Sequence, residues 1–394
     1  MRLKAGFLVY IPMFLIMTYW GYMKVALPVL PNLLQAFNTS GMVIHQLISL
    51  SFILAGLSSI IWGVVIDRLE MQRFLVYITV IGILVLSSVA FTHNIYWWGM
   101  TYILSSIIVG GFLVCSRSFV MLYLQNDLQI KKSLSMLMVG GYSSAFLVPF
   151  ISGWLGSWLS WRYAFLVIPV WLIVLFIIFS QLHSQPEHQQ TTKTLRDNIQ
   201  QMISHLKNKR FRTCLLIIAG CSAVAQSYYI AIAFWLLPAY HVSVQHVAFY
   251  LFPILLPGII MPFFGSAIQQ RFSELSIIAF YVALLILAGV LSIGLMWVSH
   301  PSSWLWVIPG VLASLTIVGM LPIISFHALQ SVTGHYSAAS GLIAIAAYSS
   351  AGVGIFITSF ISLQDFYKEG VFMLIIALWV IMLLKKIYKK PIKQ

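Results

Sequence analysis

Apolar residues run along this chain in blocks of about twenty, separated by short polar breaks. A bilayer core about 30 Å thick is crossed by a helix of about 20 apolar residues. On that measure the pattern predicts twelve spans, at 7–35, 45–66, 73–92, 96–123, 133–155, 161–181, 213–237, 246–268, 275–298, 304–326, 337–361 and 371–384. The first run is too long for a signal peptide and lacks a small-residue cleavage site, so it reads as a membrane helix. One long polar segment separates six spans from six. The expected organisation is a first bundle at 1–181, a linker at 182–212 and a second bundle at 213–394. The middle of the linker, Leu195 to Leu206, reads equally as a short amphipathic helix on the membrane surface or as a solvated loop.

Composition supports the same class. Hydrophobic residues make up 61% of the chain and charged residues 8%, against about 25% charged in an ordinary soluble domain. That excludes a soluble enzyme and predicts an all-α membrane protein. Cys115, Cys214 and Cys221 all lie in apolar runs, the setting of inert buried thiols, and no metal or redox framework is expected from them.

The formal net charge of +14 changes the picture only through its placement. Eighteen of the 22 basic residues fall on one side if the N-terminus is inside: Arg2, Lys4, Arg68, Arg73, Lys131, Lys132, six in the linker, Arg271 and five from Lys385 onward. Arg162 and Lys368 fall on the other side. The positive-inside rule then puts both termini in the cytoplasm of a multi-pass protein of a bacterial inner membrane. The basic excess is accounted for by topology and anionic lipid, without nucleic acid. The remaining two basic residues, Lys24 and Arg117, lie within spans.

Landmarks recur between the halves. Gly63 follows span 2 and Gly265 follows span 8, 202 positions apart, while Tyr142-Ser143-Ser144-Ala145 returns as Tyr348-Ser349-Ser350-Ala351, 206 apart. Such recurrence predicts a 6+6 pseudo-symmetric arrangement.

The loop Gly63-Val-Val-Ile-Asp67-Arg68-Leu-Glu-Met-Gln-Arg73 resembles the span 2–3 signature of the major facilitator superfamily. In physical terms Gly63 permits close helix approach, and Asp67 accepts from a helix N-terminus or a basic side chain. Gly63, Asp67, Arg68 and Arg73 are therefore the expected conformational latch. Pro28, Pro31, Phe37, Gln46, Ser49 and Gly56 are similar to the opening run of the bicyclomycin-resistance type of drug:proton antiporter. Gly140-Gly141, Pro149, Gly153-Trp154 and Trp161-Arg162 resemble that branch's antiporter motif in span 5. Gly141, Pro149 and Gly153 are the candidate helix-bend positions, and Pro253, Pro257 and Pro262 are expected to bend span 8.

The chain departs from that branch in its charges. Where the branch carries an acid before the first proline, this chain has Lys24, and the early span 4 arginine is missing. All eight carboxylates, Asp67, Glu70, Asp127, Glu187, Asp197, Glu274, Asp365 and Glu369, read as loop or span-end residues, so no proton carrier is expected at mid-membrane. The histidines nearest to membrane depth are His45, His246 and His327.

A basic residue near mid-bilayer costs about 2.5–3.5 kcal/mol and usually faces a substrate path. Lys24 and Arg117 are accordingly the candidate anion-binding residues, with Trp20 as an aromatic wall one turn from Lys24. Snorkelling of both side chains to opposite surfaces is the competing reading. Gln226-Ser227-Tyr228-Tyr229 in span 7 suits either a cavity lining, led by Gln226 and Tyr229, or helix packing.

These residues predict a secondary transporter working by alternating access, with a small-molecule substrate, the bilayer as its surroundings and a monomeric state. No G-x-x-x-x-G-K-[ST] sequence is present, no cofactor is expected, and converging catalytic groups are absent from the inventory, so an enzyme is not expected. The expected cargo is a small organic anion, such as a carboxylate-rich metabolite or siderophore, moving outward. Each net negative charge leaving a negative interior gains about 2.3 kcal/mol per 100 mV. A proton-coupled multidrug antiporter, siderophore uptake and a non-transporting membrane sensor are the alternatives, the proton being the candidate coupling ion.

Overall fold

The computed structural model describes residues 5–124, 127–182, 195–240, 242, 244–332, 336–361 and 365–388. Arg2, Lys4, Glu187, Lys193, Lys389, Lys390 and Lys393 lie outside the described residues, as do the side chains of Asp67, Asp127 and Lys131. The longer helices are α1 (Ile11–Lys24), α2 (Leu30–Phe37), α3 (Gly41–Arg68), α4 (Met71–Ser88), α5 (Ile95–Tyr123), α6 (Asp127–Trp158) and α7 (Val167–Ser180). They continue with α8 (Leu195–Leu206), α9 (Lys209–Ala239), α10 (Val244–Arg271), α11 (Glu274–Gly294), α12 (Val307–Gln330), α13 (Tyr336–Thr358) and α14 (Tyr367–Tyr388).

Among the described residues, eleven helical stretches are long and apolar enough to cross a membrane. The twelfth crossing is the first, and it is where the structure departs from the sequence expectation of one run over 7–35. The chain leaves the helix after Lys24, turns through Val25–Val29 and re-enters at Leu30. Pro28 and Pro31 have no backbone N–H to donate to the preceding turn, and the break is buried on all sides, the setting in which irregular backbone is tolerated at membrane depth. Positions 202 further on are Ile230 and Ala233, and α9 accordingly runs unbroken.

The helices form two six-helix bundles with matching internal contacts. In the first, α1 packs on α5 and α6, α3 on α5, and α4 on α5 and α7. In the second, α9 packs on α12 and α13, α10 on α12, and α11 on α12 and α14. The bundles meet through two equivalent crossings, α3 on α13 and α6 on α10. A glycine permits each crossing. A Cβ on Gly56 would strike the Oγ of Ser349, and one on Gly258, 202 positions later, would strike the Tyr142 ring.

We call the end carrying α8 the linker face and the opposite end the far face. The contacts between the bundles concentrate in the far half. The Ser49 hydroxyl donates to the Gly352 carbonyl (2.8 Å) and the Ser349 hydroxyl to the Ile53 carbonyl (2.9 Å), while Phe146 meets Phe252 and Phe150 meets Phe249. Toward the linker face, Gly63 has nothing within 4 Å of where its Cβ would stand. Among the described residues, Gly63 is therefore not a close-approach position in this conformation.

The linker does form a helix, α8, which packs against both α3 and α13. It buries Met202 against Gly341 and His205 beside Phe211, while Ile199, Ile203 and Leu206 point outward. Around the far rim, Tyr96, Trp97, Trp158 and Trp297 are exposed, as in the aromatic belts at membrane–water interfaces.

Candidate functional site

The break after α1 leaves Lys24 as the last residue of its helix, where the unpaired carbonyls favour a cation. Its side chain does not snorkel. It is 1% exposed, and its Nζ crosses to the second bundle to donate to Gln226 Oε1 at 2.6 Å. Gln226 lies 202 positions further along, the same offset that relates Gly56 to Gly258, so equivalent sites of the two halves touch at the pseudo-twofold axis.

Three rings enclose the ammonium: Tyr229 at 4.1 Å from its centroid, Phe52 at 5.1 Å and Trp20 at 5.7 Å. Cation–π contacts of this kind contribute about 2 kcal/mol or more when desolvated. The cage is held from both sides. The Tyr229 hydroxyl donates to the Ala145 carbonyl of α6 at 3.2 Å, and Tyr348 of α13 packs edge-on against Tyr19 and Trp20. Gly141 makes room for Trp20, whose ring would lie 2.8 Å from a Cβ there. Gly153 is buried in the same helix, and Pro149 lies inside it, as Pro253, Pro257 and Pro262 lie inside α10.

Of the five sequence-nominated binding residues, Lys24, Trp20, Gln226 and Tyr229 converge. Arg117 does not. It stands exposed in the linker-face half of α5 and takes no part in the contacts of Lys24. Phe52 was missed because a phenylalanine in an apolar run carries no signal until a cation is placed beside it. Of the latch residues, Arg73 pairs with Glu70 at 3.1 Å on an exposed surface and Arg68 is exposed. The cysteines are free and buried.

One correction concerns the acids. Glu369 was read as a span-end residue, yet it is 1% exposed, turned into the protein from the first turn of α14. Its Oε2 accepts from the Ser227 hydroxyl at 3.5 Å, and its Oε1 has no hydrogen-bond partner among the described residues. The physical reason is that α14 begins at Tyr367, so residue 369 already faces α9 and α11 rather than water. The other two histidines near membrane depth differ from each other: His327 contacts both Glu274 and Arg210, while His246 packs beside Phe249.

Two bundles related by an internal repeat, a cation on their common axis and glycine-mediated crossings define a multi-pass membrane carrier. The family model of the Major Facilitator Superfamily matches residues 12–357, and the chain belongs to that superfamily. Among solved structures, the chain is similar to a bacterial homologue of the human lysosomal transporter Spinster. The inward-facing, unoccupied form gives a TM-score of 0.72 at 15% identity over 98% of both chains. The inward-facing, occupied form gives 0.72 at 14% over 97% of both. No curated protein matches the chain.

Proposed function

We propose that this transporter exports a small organic anion across a bacterial inner membrane, with Lys24 as its charge-recognising group. The observation that carries the reading is the state of that lysine. It is buried between the bundles, hydrogen-bonded to a neutral amide, faced by three rings and contacted by no described carboxylate. An ammonium so placed is left without a counter-charge, and a carboxylate or comparable anion supplies one. Aromatic walls add apolar area for the organic part of the cargo.

Alternating access follows from where the bundles touch. Direct contacts between the bundles concentrated in the far half, with no described residue against the Gly63 Cβ position, fit a state accessible from the linker face. With the basic linker face as the cytoplasmic one, an anion enters from the cell. Rocking about the Gly56 and Gly258 crossings then opens the far half. Outward movement of the anion is favoured by the membrane voltage. The bundles divide at the linker, near 181 and 213.

The test is uptake into inside-out vesicles under an interior-positive voltage, using labelled citrate and a cationic dye as probes. Citrate accumulation that disappears in Lys24→Ala is expected. Dye accumulation indifferent to Lys24 refutes the reading and returns the protein to the drug-exporting branch.

A further inference from the structure

A cavity of about 30 Å³ lies near the far face, lined by His45, Ala231, Phe234, Thr358, Ile361, Phe366 and Glu369. That is room for one or two waters. His45 comes from α3 in the first bundle; the other lining residues come from the second, so the cavity exists only while the bundles are in contact there. His45 is 5% exposed, its ring stacked on Phe234 at 4.7 Å.

Among the described residues, two buried polar atoms of the cavity lining find no hydrogen-bond partner: His45 Nε2 and Glu369 Oε1. A buried donor or acceptor left unmade costs about 1–3 kcal/mol, and more for a charge. An acid and a base, both orphaned and both at one water-sized cavity, are explained together by a proton and a water between them.

We propose that this cavity is a proton-binding site that couples protonation to closure of the far face. A proton taken from far-face water adds to the Glu369 carboxylate. A water in the cavity then links the acid to His45 Nε2 across the bundle boundary. Closure without that proton would bury a bare carboxylate that is met, among the described residues, only by neutral hydroxyls, those of Thr358 and Ser227. When the bundles part, Glu369 meets water and the proton returns to it.

The neighbouring titratable and charged groups are otherwise engaged. The Tyr228 hydroxyl of α9 donates to the Trp306 carbonyl at 2.7 Å, and Lys368 and Asp365 pair with each other at the surface at 2.6 Å. Lys24 is spent on Gln226, the residue before Ser227 in α9. From α3, the side facing the cavity contributes His45; from α13, the hydroxyl of Thr358. Ser292 of α11 is buried and uncharged.

The inference is independent of which solute Lys24 takes. It is tested by electron–electron distance measurement between spin labels at Tyr96→Cys and Trp297→Cys, exposed far-rim sites on opposite bundles, in lipid discs from about pH 4 to about pH 9. The full chain should show a closed far face at low pH and a parted one at high pH. Glu369→Gln should hold the closed distribution throughout, and His45→Gln should move the midpoint while keeping the transition. Lys24→Gln should retain the pH transition, with a midpoint moved by loss of its cross-bundle bond, which separates failure of this inference from failure of the anion reading. If Glu369→Gln does not fold, Glu369→Asp serves, with a shifted midpoint expected. A pH-insensitive parent, a Glu369→Gln or Glu369→Asp protein that titrates unchanged, or a response that follows sodium at fixed pH overturns the proposal.

Discussion

Among the described residues, Gln226 supplies the one hydrogen-bond acceptor of a buried ammonium, and removing it should cost far more than removing the ammonium itself. In Gln226→Leu the Lys24 Nζ loses its 2.6 Å bond and stays 1% exposed. A hydrogen bond to a charged group contributes about 1.5–3 kcal/mol, and a buried charge left unpaired is penalised at the upper end or beyond. The expected loss is about 3 kcal/mol. Lys24→Met removes the charge, its desolvation cost and its cation–π contacts together, and buried ions replaced by apolar residues of similar volume are often neutral or better. Its expected effect is within about 1 kcal/mol of zero. The double variant should resemble Lys24→Met, because the half-exposed Gln226 is then no longer bonded to anything buried, giving a coupling energy of about 2–3 kcal/mol. The assay is thermal unfolding of the four proteins in one detergent, where 1 kcal/mol corresponds to about 2–4 °C for bundles of this size. Additive effects, or a Lys24→Met protein as damaged as Gln226→Leu, would refute the argument, since Lys24 would then be stabilised by something other than Gln226.

Other outcomes follow from the packing. Gly258→Ala drives a methyl into the Tyr142 ring at the α6–α10 crossing, and overpacking of this kind costs about 1–3 kcal/mol; vesicle uptake should fall, and uptake at parental levels counts against the crossing as a pivot. Gly141→Ala displaces Trp20 from the lysine cage and should weaken anion binding, measured by quenching of tryptophan fluorescence, with little change in melting temperature. Gly63→Ala meets open space inside α3 and should stabilise the protein by about 0.5–1 kcal/mol, so any transport defect it produces belongs to another conformation. Arg73→Ala breaks a pair whose arginine side chain is 72% exposed, and unfolding in denaturant should register less than about 1 kcal/mol.

The spans were legible because lipid imposes a length on apolar runs, and the repeat because crossings need small residues at fixed places. The break within the first span was hidden for a local reason: hydropathy counts Pro28 and Pro31 as harmless, while the hydrogen-bond ladder does not. Lys24 announced itself as a charge in apolar text, and Trp20 by helical spacing. Gln226 and Tyr229 stood out as polar and aromatic residues in span 7, although no spacing rule joins them to Lys24 across 202 positions. Glu369 was hidden by counting depth along its own helix. Burial near a span end depends on what the neighbouring helices cover, here α9 and α11, and that is a tertiary property. Arg117 shows the converse, a charge within a span that remains exposed.

The meeting of Lys24 and Gln226 on the axis constrains how two matching halves can share one charge. Were the halves identical there, the axis would face either ammonium against ammonium, which repel, or amide against amide, which carry no charge. A single cation at a twofold centre requires that symmetry be broken at that very position, with one half donating and the other accepting. The direction of the break is then arbitrary. Exchanging the two residues, Lys24→Gln with Gln226→Lys, builds the mirror assignment of the same pair, with the charge now carried by the unbroken helix.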